Sequence, residues 1–505
     1  MSKLSNHFQD LDYLIRSGKF SEAKKKLLGL HLSRTTPMED RVACAALWKR
    51  IGEPLRAIKV LGSMEKLELK SRGDRLRWLE YADCLLKINA SGGAGRILGR
   101  TDLETEVNYY LVKAFYHIHS WDYQNALKAL RIYLQRQDPE NYFYFVAKIN
   151  ELACLAFLEM SREARIEAET LLPELKRRGF ERLRGNSTEI LMQVVLQNIP
   201  PEERRRLEEL LRAHSKISLE DAAMLDNVHL RKWSLYHKLG ENREEAVRGL
   251  FALRDQSAQN GLSEVVRDVD RTLARVTGDE ELENFVFFGT PYRAFLGRFN
   301  IRNIRTPIHV DVTKDTGQIA RPGGTKLRVK KSNAFRLADL CEEFDYSLTV
   351  KVLLAILRDF YRAPTTVEIF DSVYPTEYFH PVTSLKKVNQ LVFRLNDQLR
   401  SAGYPFTVVQ KRSGYHIEAA QNLTFILDEP ADRTLLRSGE DHLAGKLRKL
   451  VPGKFTLQEF LDETGYKRRT AQLLLKNLID REILVRQGRT TKTFYTWAQN
   501  DNRPG

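Results

Sequence analysis

Apolar residues recur at three- and four-residue steps through nearly all of the first 283 residues, and no alternating apolar–polar run of useful length interrupts them. This period puts one side of each segment against a core and predicts amphipathic helices rather than strands. The helices come in pairs. Leu11–Leu30 and Ala46–Met64 align with Gly18 on Gly52 and Ala23 on Ala57, a repeat of 34 residues. A small residue between two helices lets their backbones approach, and glycine permits the turn that joins them. Weaker copies follow at Tyr81–Leu98 with Ala94, at Tyr109–Leu134 with Trp121 and Ala126, at Ile149–Leu175, and at Leu230–Leu253 with Gly240 and Ala246. The pattern predicts an all-α solenoid over residues 1–283.

The rhythm then changes. Residues 284–305 are rich in aromatics and glycine and predict a connector that caps the helical stack. Its Tyr292, Arg293, Phe295, Arg298, Phe299 and Arg302 also match a platform for stacking bases, which leaves two readings of one run. Over residues 306–421, strand-like runs at Ile308–Val312 and Thr325–Val329 precede a helical stretch. Leu385, Val388, Leu391, Val392, Leu395 and Leu399 then mark one face of a long helix. Two short strand runs, Phe406–Val409 and Tyr415–Ile417, follow it around a basic tip, which is the layout of a winged helix. Residues 422–441 hold a short strand and a proline-containing polar linker. Residues 442–498 repeat the layout on a smaller scale, with a capping box at Thr456 and Glu459 and a helix turning Ala471, Leu474, Leu475, Leu478 and Ile479 inward. Residues 499–505 form a tail. The expected fold is therefore multidomain: a helical-repeat solenoid followed by two α+β winged helices.

Charge sharpens this division. The chain carries a formal +15, which points to an acidic partner, most commonly nucleic acid. About +11 of that excess falls between Arg298 and the C-terminus, where the winged helices are expected. The four cysteines, Cys44, Cys84, Cys154 and Cys341, form no closely spaced pair and predict reduced core thiols of a cytoplasmic protein. No signal-peptide pattern and no bilayer-length apolar run is present, so no membrane partner is expected. His117 and His119, two apart on a helix, cannot share a face; they predict capping or packing rather than a metal site. Pro200-Pro201 predict a break between helices, and Arg204, Arg205 and Arg206 a solvated face.

The stretch PVTSLKKVNQLVFRLNDQLRSAGYPFTVVQKRSGYHI, from Pro381 to Ile417, resembles the OmpR/PhoB-type winged-helix DNA-binding domain. Val388, Val392, Arg394, Leu395 and Leu399 match the end of that family's recognition helix, and Gly414, Tyr415 and Ile417 match the close of its wing. Asn396 and Gln398 depart from it, standing where the family usually carries Arg and Lys. Ile308–Val312 and Thr325–Val329 resemble the family's N-terminal sheet, Leu348–Pro375 its first two helices, and Lys330–Ser347 an insertion. The N-terminal pairs resemble tetratricopeptide repeats. Parts of this combination are similar to the antibiotic-regulatory-protein type of bacterial activator, in reversed order. The candidate DNA contacts are Ser384, Lys386, Lys387, Asn389, Gln390 and Arg394 on the helix, with Lys411, Arg412 and Tyr415 on the hairpin. In the second module they are Lys467, Arg468, Arg469 and Thr470 at the start of its helix and Arg486, Arg489 and Lys492 on its hairpin.

No phosphate-binding loop, nucleophile elbow or H-E-x-x-H pattern occurs, so neither an enzymatic activity nor a metal or other cofactor is expected. The expected function is sequence-specific transcription regulation on double-stranded DNA, with a protein or peptide input to the repeats and a homodimer left open. The alternative is a non-enzymatic scaffold whose repeats and winged helices bind only proteins.

Overall fold

The computed structural model of the chain describes residues 3–16, 19–30, 32–33, 35–62, 64, 71–197, 228, 231–232, 234–236, 238–297, 304–314, 317, 319–322, 329–345, 347–411, 414–431, 447–448, 450–464, 468–480, 483–488 and 493–498. Its N-terminal part is helical: α1 (Lys3–Arg16), α2 (Phe20–Leu28), α3 (Met38–Arg50), α4 (Pro54–Leu61), α5 (Arg72–Lys87), α6 (Ser91–Leu98), α7 (Val107–His119), α8 (Tyr123–Arg136), α9 (Tyr142–Phe157), α10 (Ser161–Arg177) and α11 (Glu181–Gln197). Further along the chain come α12 (Arg243–Gln259), α13 (Ser263–Thr277), α14 (Glu280–Phe288) and the short α15 (Arg293–Leu296). Within the pairs α1–α2, α3–α4, α5–α6, α7–α8, α9–α10 and α12–α13, each helix packs on its sequence neighbour across a short turn. The alanines that the repeat predicts, Ala23, Ala57, Ala94, Ala126 and Ala246, are completely buried, as the close approach of helix backbones requires. Gly18, Pro200-Pro201 and Arg204–Arg206 lie outside the described residues.

Turn chemistry explains the two histidines. Asp122 caps α8 by accepting the Asn125 N–H at 3.3 Å, and its other oxygen lies 3.1 Å from His117 Nδ1. His117 thus belongs to the cap, while His119 faces a cavity. Trp121 in the same turn adopts φ +57°, a left-handed conformation that disfavours any side chain but glycine's. Its ring is held by Phe295, with centroids 4.6 Å apart, and by Tyr292, stacked at 6.2 Å. All four cysteines are buried free thiols.

Among the described residues, small sheets enter only in the C-terminal part. The first unit contains β1 (Ile308–Val312), β2 (Ala334–Arg336), α16 (Leu337–Glu343), α17 (Leu348–Ile356), α18 (Thr366–Val373), α19 (Thr383–Ser401), β3 (Phe406–Lys411), β4 (Gly414–Ala419) and β5 (Leu423–Leu427). Strands β3 and β4 form an antiparallel hairpin closing at Lys411 opposite Gly414. The other sheet has the order β1-β5-β2, with β5 antiparallel to β1 and parallel to β2. This revises the expected organisation. The short strand assigned to the linker is the central strand of that sheet, and the presumed insertion supplies β2 and α16. Val329 lies outside any strand, and residues 325–328 of the expected Thr325–Val329 strand are outside the described set. The unit therefore reaches at least the buried Ala431.

A second unit holds β6 (Lys454–Thr456), α20 (Leu457–Thr464), α21 (Arg468–Asp480), β7 (Leu484–Gln487) and β8 (Phe494–Trp497), with sheet order β6-β8-β7. Its capping box forms as expected: Glu459 accepts the Thr456 N–H at 2.7 Å, and Thr456 Oγ1 accepts the Glu459 N–H at 3.3 Å. Ala471, Leu475 and Leu478 are buried in a core of its own, with Leu474 and Ile479 packed against it.

The helical part and the first α+β unit share one apolar core that runs from Leu11 through Trp78 and Phe288 to Phe425. Polar ties cross this junction. The Asp371 carboxylate, from α18, accepts the N–H groups of Gly92 and Gly93 at 2.8 and 2.7 Å, capping α6 from a distant part of the chain. A Cβ on Gly92 would lie 2.8 Å from that carboxylate, which accounts for glycine there. Arg96 Nη2 donates to Glu377 O at 2.6 Å and Tyr81 Oη to Phe379 O at 2.5 Å. A further tie is Arg267 on α13, which is 0 % exposed. Its Nη2 donates to both oxygens of Asp359 at 2.9 Å, its Nη1 to Thr290 Oγ1 at 2.9 Å and Gly289 O at 3.2 Å, and its Nε to Glu264 at 3.3 Å. The rings of Tyr361 and Tyr292 lie 4.5 and 5.1 Å from the guanidinium carbon. Burial works against the charge, but Asp359 and Glu264 outweigh it and hold the arginine's pKa above its ordinary value.

Two stability predictions follow from these buried charges. Removing one partner of such a pair strands the other, so Asp359→Leu should cost ~3–5 kcal/mol, and combining it with Arg267→Met should recover part of the loss. Urea midpoints compare the variants, and a double variant no better than the single one would refute the account. Nearby Asp270 is also fully buried, and Arg254 approaches it at 3.7 Å. Burial, partly offset by Arg321 and Arg254, pushes its carboxyl up from 3.8 to about 6. The folded state therefore binds this proton more tightly than the unfolded chain, and the residue's contribution to stability falls as pH rises from about 4 to about 6. Asp270→Asn should remove that decline, making the variant more stable than wild type at roughly pH 7.5 and closer to it at roughly pH 4.5, as read by melting temperature.

Candidate nucleic-acid interface

Helix α19 turns a solid apolar back to its unit. Val388, Leu391, Val392, Leu395 and Leu399 are buried, as their spacing predicts. Its start is fixed by a reciprocal clasp: Ser384 Oγ accepts the His380 N–H at 2.8 Å, while His380 Nδ1 accepts the N–H groups of Val382 at 3.2 Å and Thr383 at 3.4 Å. The imidazole thereby satisfies amides that a helix leaves without internal partners. Ser384, a candidate contact, is 2 % exposed and sits inside this clasp.

The outer face carries Lys386, Asn389, Gln390, Phe393 and Arg394, all exposed and recurring at three- and four-residue steps. The structure separates the adjacent lysines. Lys387 pairs with Glu377 and lies 5.3 Å from the centre of the Tyr374 ring, whereas Lys386 makes no ion pair among the described residues. Arg394 likewise has no ion pair among them. Phe393, 67 % exposed, is a residue that sequence reasoning passed over. The signal was available, because position 393 falls out of phase with the buried stripe.

The hairpin is strapped to the helix at two points. Asn396 Nδ2 donates to Val408 O at 2.8 Å while its Oδ1 accepts the Val408 N–H at 2.7 Å. The position where the resembled family usually carries arginine thus clamps β3. Tyr415, 2 % exposed, is a strut rather than a surface contact: its hydroxyl donates to Asn389 Oδ1 at 2.9 Å and its N–H to Pro364 O at 2.9 Å. Burial raises the phenol's pKa, so it stays a neutral donor. Asn389 is therefore oriented from behind, and its Nδ2 makes no hydrogen bond among the described residues. Lys411 lies 3.8 Å from Glu418 across the hairpin, and Arg412 falls outside the described residues.

In the second unit Arg468 opens α21 and Arg486 lies on β7, both exposed. Arg469 and Thr470 belong to α21, but their side chains, like all of Lys467, Arg489 and Lys492, are outside the described set. Four of the candidates in α19, Lys386, Asn389, Gln390 and Arg394, thus share one exposed face, while Ser384 and Tyr415 support it from behind. In the connector, Phe295 is fully buried and Tyr292 stacks on Trp121, so these two aromatics serve packing; Arg298, Phe299 and Arg302 are not described. Among the described residues no His, Cys, Asp and Glu group could hold a metal ion, and no helix is long and apolar enough to cross a membrane.

No protein-family model matches the sequence, and no curated protein aligns with it significantly.

The clamp is testable on its own. Asn396→Ala leaves the Val408 N–H and C=O without their side-chain partners and should cost ~1–3 kcal/mol. Hydrogen exchange at the Val408 amide should quicken while amides of α5 keep their protection. Unchanged exchange at Val408 would show that the clamp holds nothing.

Proposed function

We propose that the chain is a sequence-specific DNA-binding transcription regulator, in which the helix pairs form a tetratricopeptide-like solenoid and the two α+β units are winged helices. The observation that carries this reading is the outer face of α19. Two cations without intramolecular partners among the described residues, Lys386 and Arg394, flank amides at Asn389 and Gln390 on a helix braced by a hairpin. Cations of this kind suit phosphates, and side-chain amides suit adenine edges. Phosphate contacts position such a helix, and base contacts specify its site. The concentration of net positive charge in the same part of the chain supports the reading, and so does the succession of α17, α18, α19 and the β3–β4 hairpin in the first unit. The helical part would receive the input.

The alternative, a scaffold that binds only proteins, draws on Phe393 and on Val382, 50 % exposed near the start of the same helix. Exposed apolar side chains suit a protein surface as well as a thymine methyl.

Salt separates the two. Duplex binding by the full chain should weaken steeply with added salt. Lys386→Ala and Arg394→Ala should each reduce the slope of log affinity against log salt by about 1. Lys387→Ala should have less effect, because Glu377 already neutralises that lysine. Asn389→Ala should cost ~1–3 kcal/mol, mainly on the preferred sequence. Fluorescence anisotropy with labelled duplexes measures all of these. A full chain that binds no duplex even at low salt would leave the scaffold reading standing.

A further inference from the structure

A cavity of about 600 Å³ lies where the turns of several helix pairs meet the first α+β unit. One wall is aromatic. Tyr123 and Phe157 stack with centroids 4.5 Å apart and planes 4° from parallel, and Trp121 stacks on Tyr292 at 6.2 Å and 21°. The volume falls within the range of small-molecule sites, where apolar walls and a few placed polar groups are the rule.

The polar lining shows which charge the cavity accepts. Its two carboxylates are occupied by the protein. Asp268 accepts from Lys232 and from the Tyr236 hydroxyl, each at 3.2 Å, and pairs with Arg271 at 3.4 Å. Glu264 accepts from Arg267 at 3.3 Å and from the Tyr292 hydroxyl at 3.4 Å. The donors are less fully used. Arg362 spends Nε on Asp359 at 3.3 Å and Nη1 on Glu368 at 2.5 Å, and its Nη2 has no hydrogen bond among the described residues. The rings and side chains of His119 and Asn89 make none either, although both line the cavity. Burial, then the nearby Lys87 and Arg362, push the His119 imidazole down to about 4 against the pull of Asp83, so it is neutral and presents one N–H.

We propose that this cavity binds a small planar aromatic carboxylate, with its ring on the aromatic wall and its carboxylate received by Arg362 and the His119 N–H. Aromatic stacking and a charge-assisted bond to guanidinium complement such a molecule, and an added cation would find both lining acids already engaged. The site goes beyond the DNA-binding reading and stands without it. Its link to DNA does rest on that reading. Arg362 belongs to the segment 359–365, whose Pro364 O accepts the Tyr415 N–H at 2.9 Å, and Tyr415 in turn holds Asn389.

The test is isothermal titration of the full-length chain with benzoate, phenylacetate and indole-3-carboxylate, against indole and cyclohexanecarboxylate as controls. At least one aromatic acid should bind saturably with a Kd of about 1 mM or tighter, and roughly tenfold more tightly than either control. His119→Leu, close in size but without the N–H, should weaken binding severalfold, and Ser263→Phe, which fills the cavity, should abolish it. Should Ser263→Phe fail to fold by circular dichroism, His119→Leu carries the test alone. Controls that bind as tightly as the acids, no saturable binding, or full binding by His119→Leu would each overturn the site. A duplex titration with the bound acid present then tests the link. DNA affinity that shifts severalfold supports it, and unchanged affinity refutes the link while leaving the site. A chain that binds the acid but no DNA would sink the DNA-binding reading alone.

Discussion

The structure turns on a charge buried where two parts of the chain meet. Arg267 comes from the helical part and Asp359 from the first α+β unit, and neither is tolerable alone in an apolar core. An ion taken from water costs several kcal/mol, and only a complete set of partners offsets it. That set spans the junction: Glu264 from α13, Gly289 and Thr290 just after α14, and Asp359 and Tyr361 after α17. Separating the two parts would leave Arg267 with Glu264 as its carboxylate and Asp359 with Arg362 as its cation, each short of the partners its burial requires, so the pair favours the observed placement. The surrounding contacts follow the same logic. Gly289 lets Phe360 approach where a Cβ would lie 2.5 Å from its ring, and Asp371 caps a helix that has no cap of its own.

What the sequence showed, and what it hid, divides along the range of the interactions. The alanine positions of the helix pairs were legible because the pairs recur along the chain, and the buried stripe of α19 because it repeats every turn of a single element. The central place of β5 was not, because its partners β1 and β2 lie about a hundred residues upstream and no local pattern announces a non-local pairing. Arg267 was invisible for a different reason. A lone arginine among Glu264, Asp268, Asp270 and Arg271 on a charged helix reads as part of a solvated surface, and only packing reveals that it points into the core. Within the candidate interface, residue type and spacing identified Lys386, Asn389, Gln390 and Arg394. They could not show that Lys387 is neutralised by Glu377, that Ser384 belongs to a clasp, or that Tyr415 stands behind the helix.

Asn396 shows how a departure from a resembled pattern acquires a meaning. An arginine at that position would add a cation to the far end of α19. The asparagine instead matches both the backbone donor and the backbone acceptor of one residue in β3, Val408, and an arginine has no acceptor to offer that N–H. The position thus gives rigidity between helix and hairpin where a phosphate contact was expected. The positive character of the face then rests on Lys386 and Arg394.

The segment from Asp359 to Thr365 is where these arrangements meet. Its first residue completes the buried pair with Arg267, its arginine faces the aromatic cavity, Pro364 O receives the hairpin through Tyr415, and Thr365 begins α18 with a capping box on Glu368. Proximity alone does not make such a segment a relay, since coupling needs an element that two ligands favour differently. Arg362 meets that requirement electrostatically. Its guanidinium is shared between Asp359 and Glu368, so any further anion competes with both for the same charge. Drawing Arg362 toward the cavity loosens its hold on the carboxylate that neutralises Arg267 and on the one that caps α18. Asp359 opens the segment that carries Pro364 and Glu368 caps the helix that follows it, so an anion bound in the cavity as proposed would act on the support of Tyr415 and, through it, on Asn389 at the exposed face.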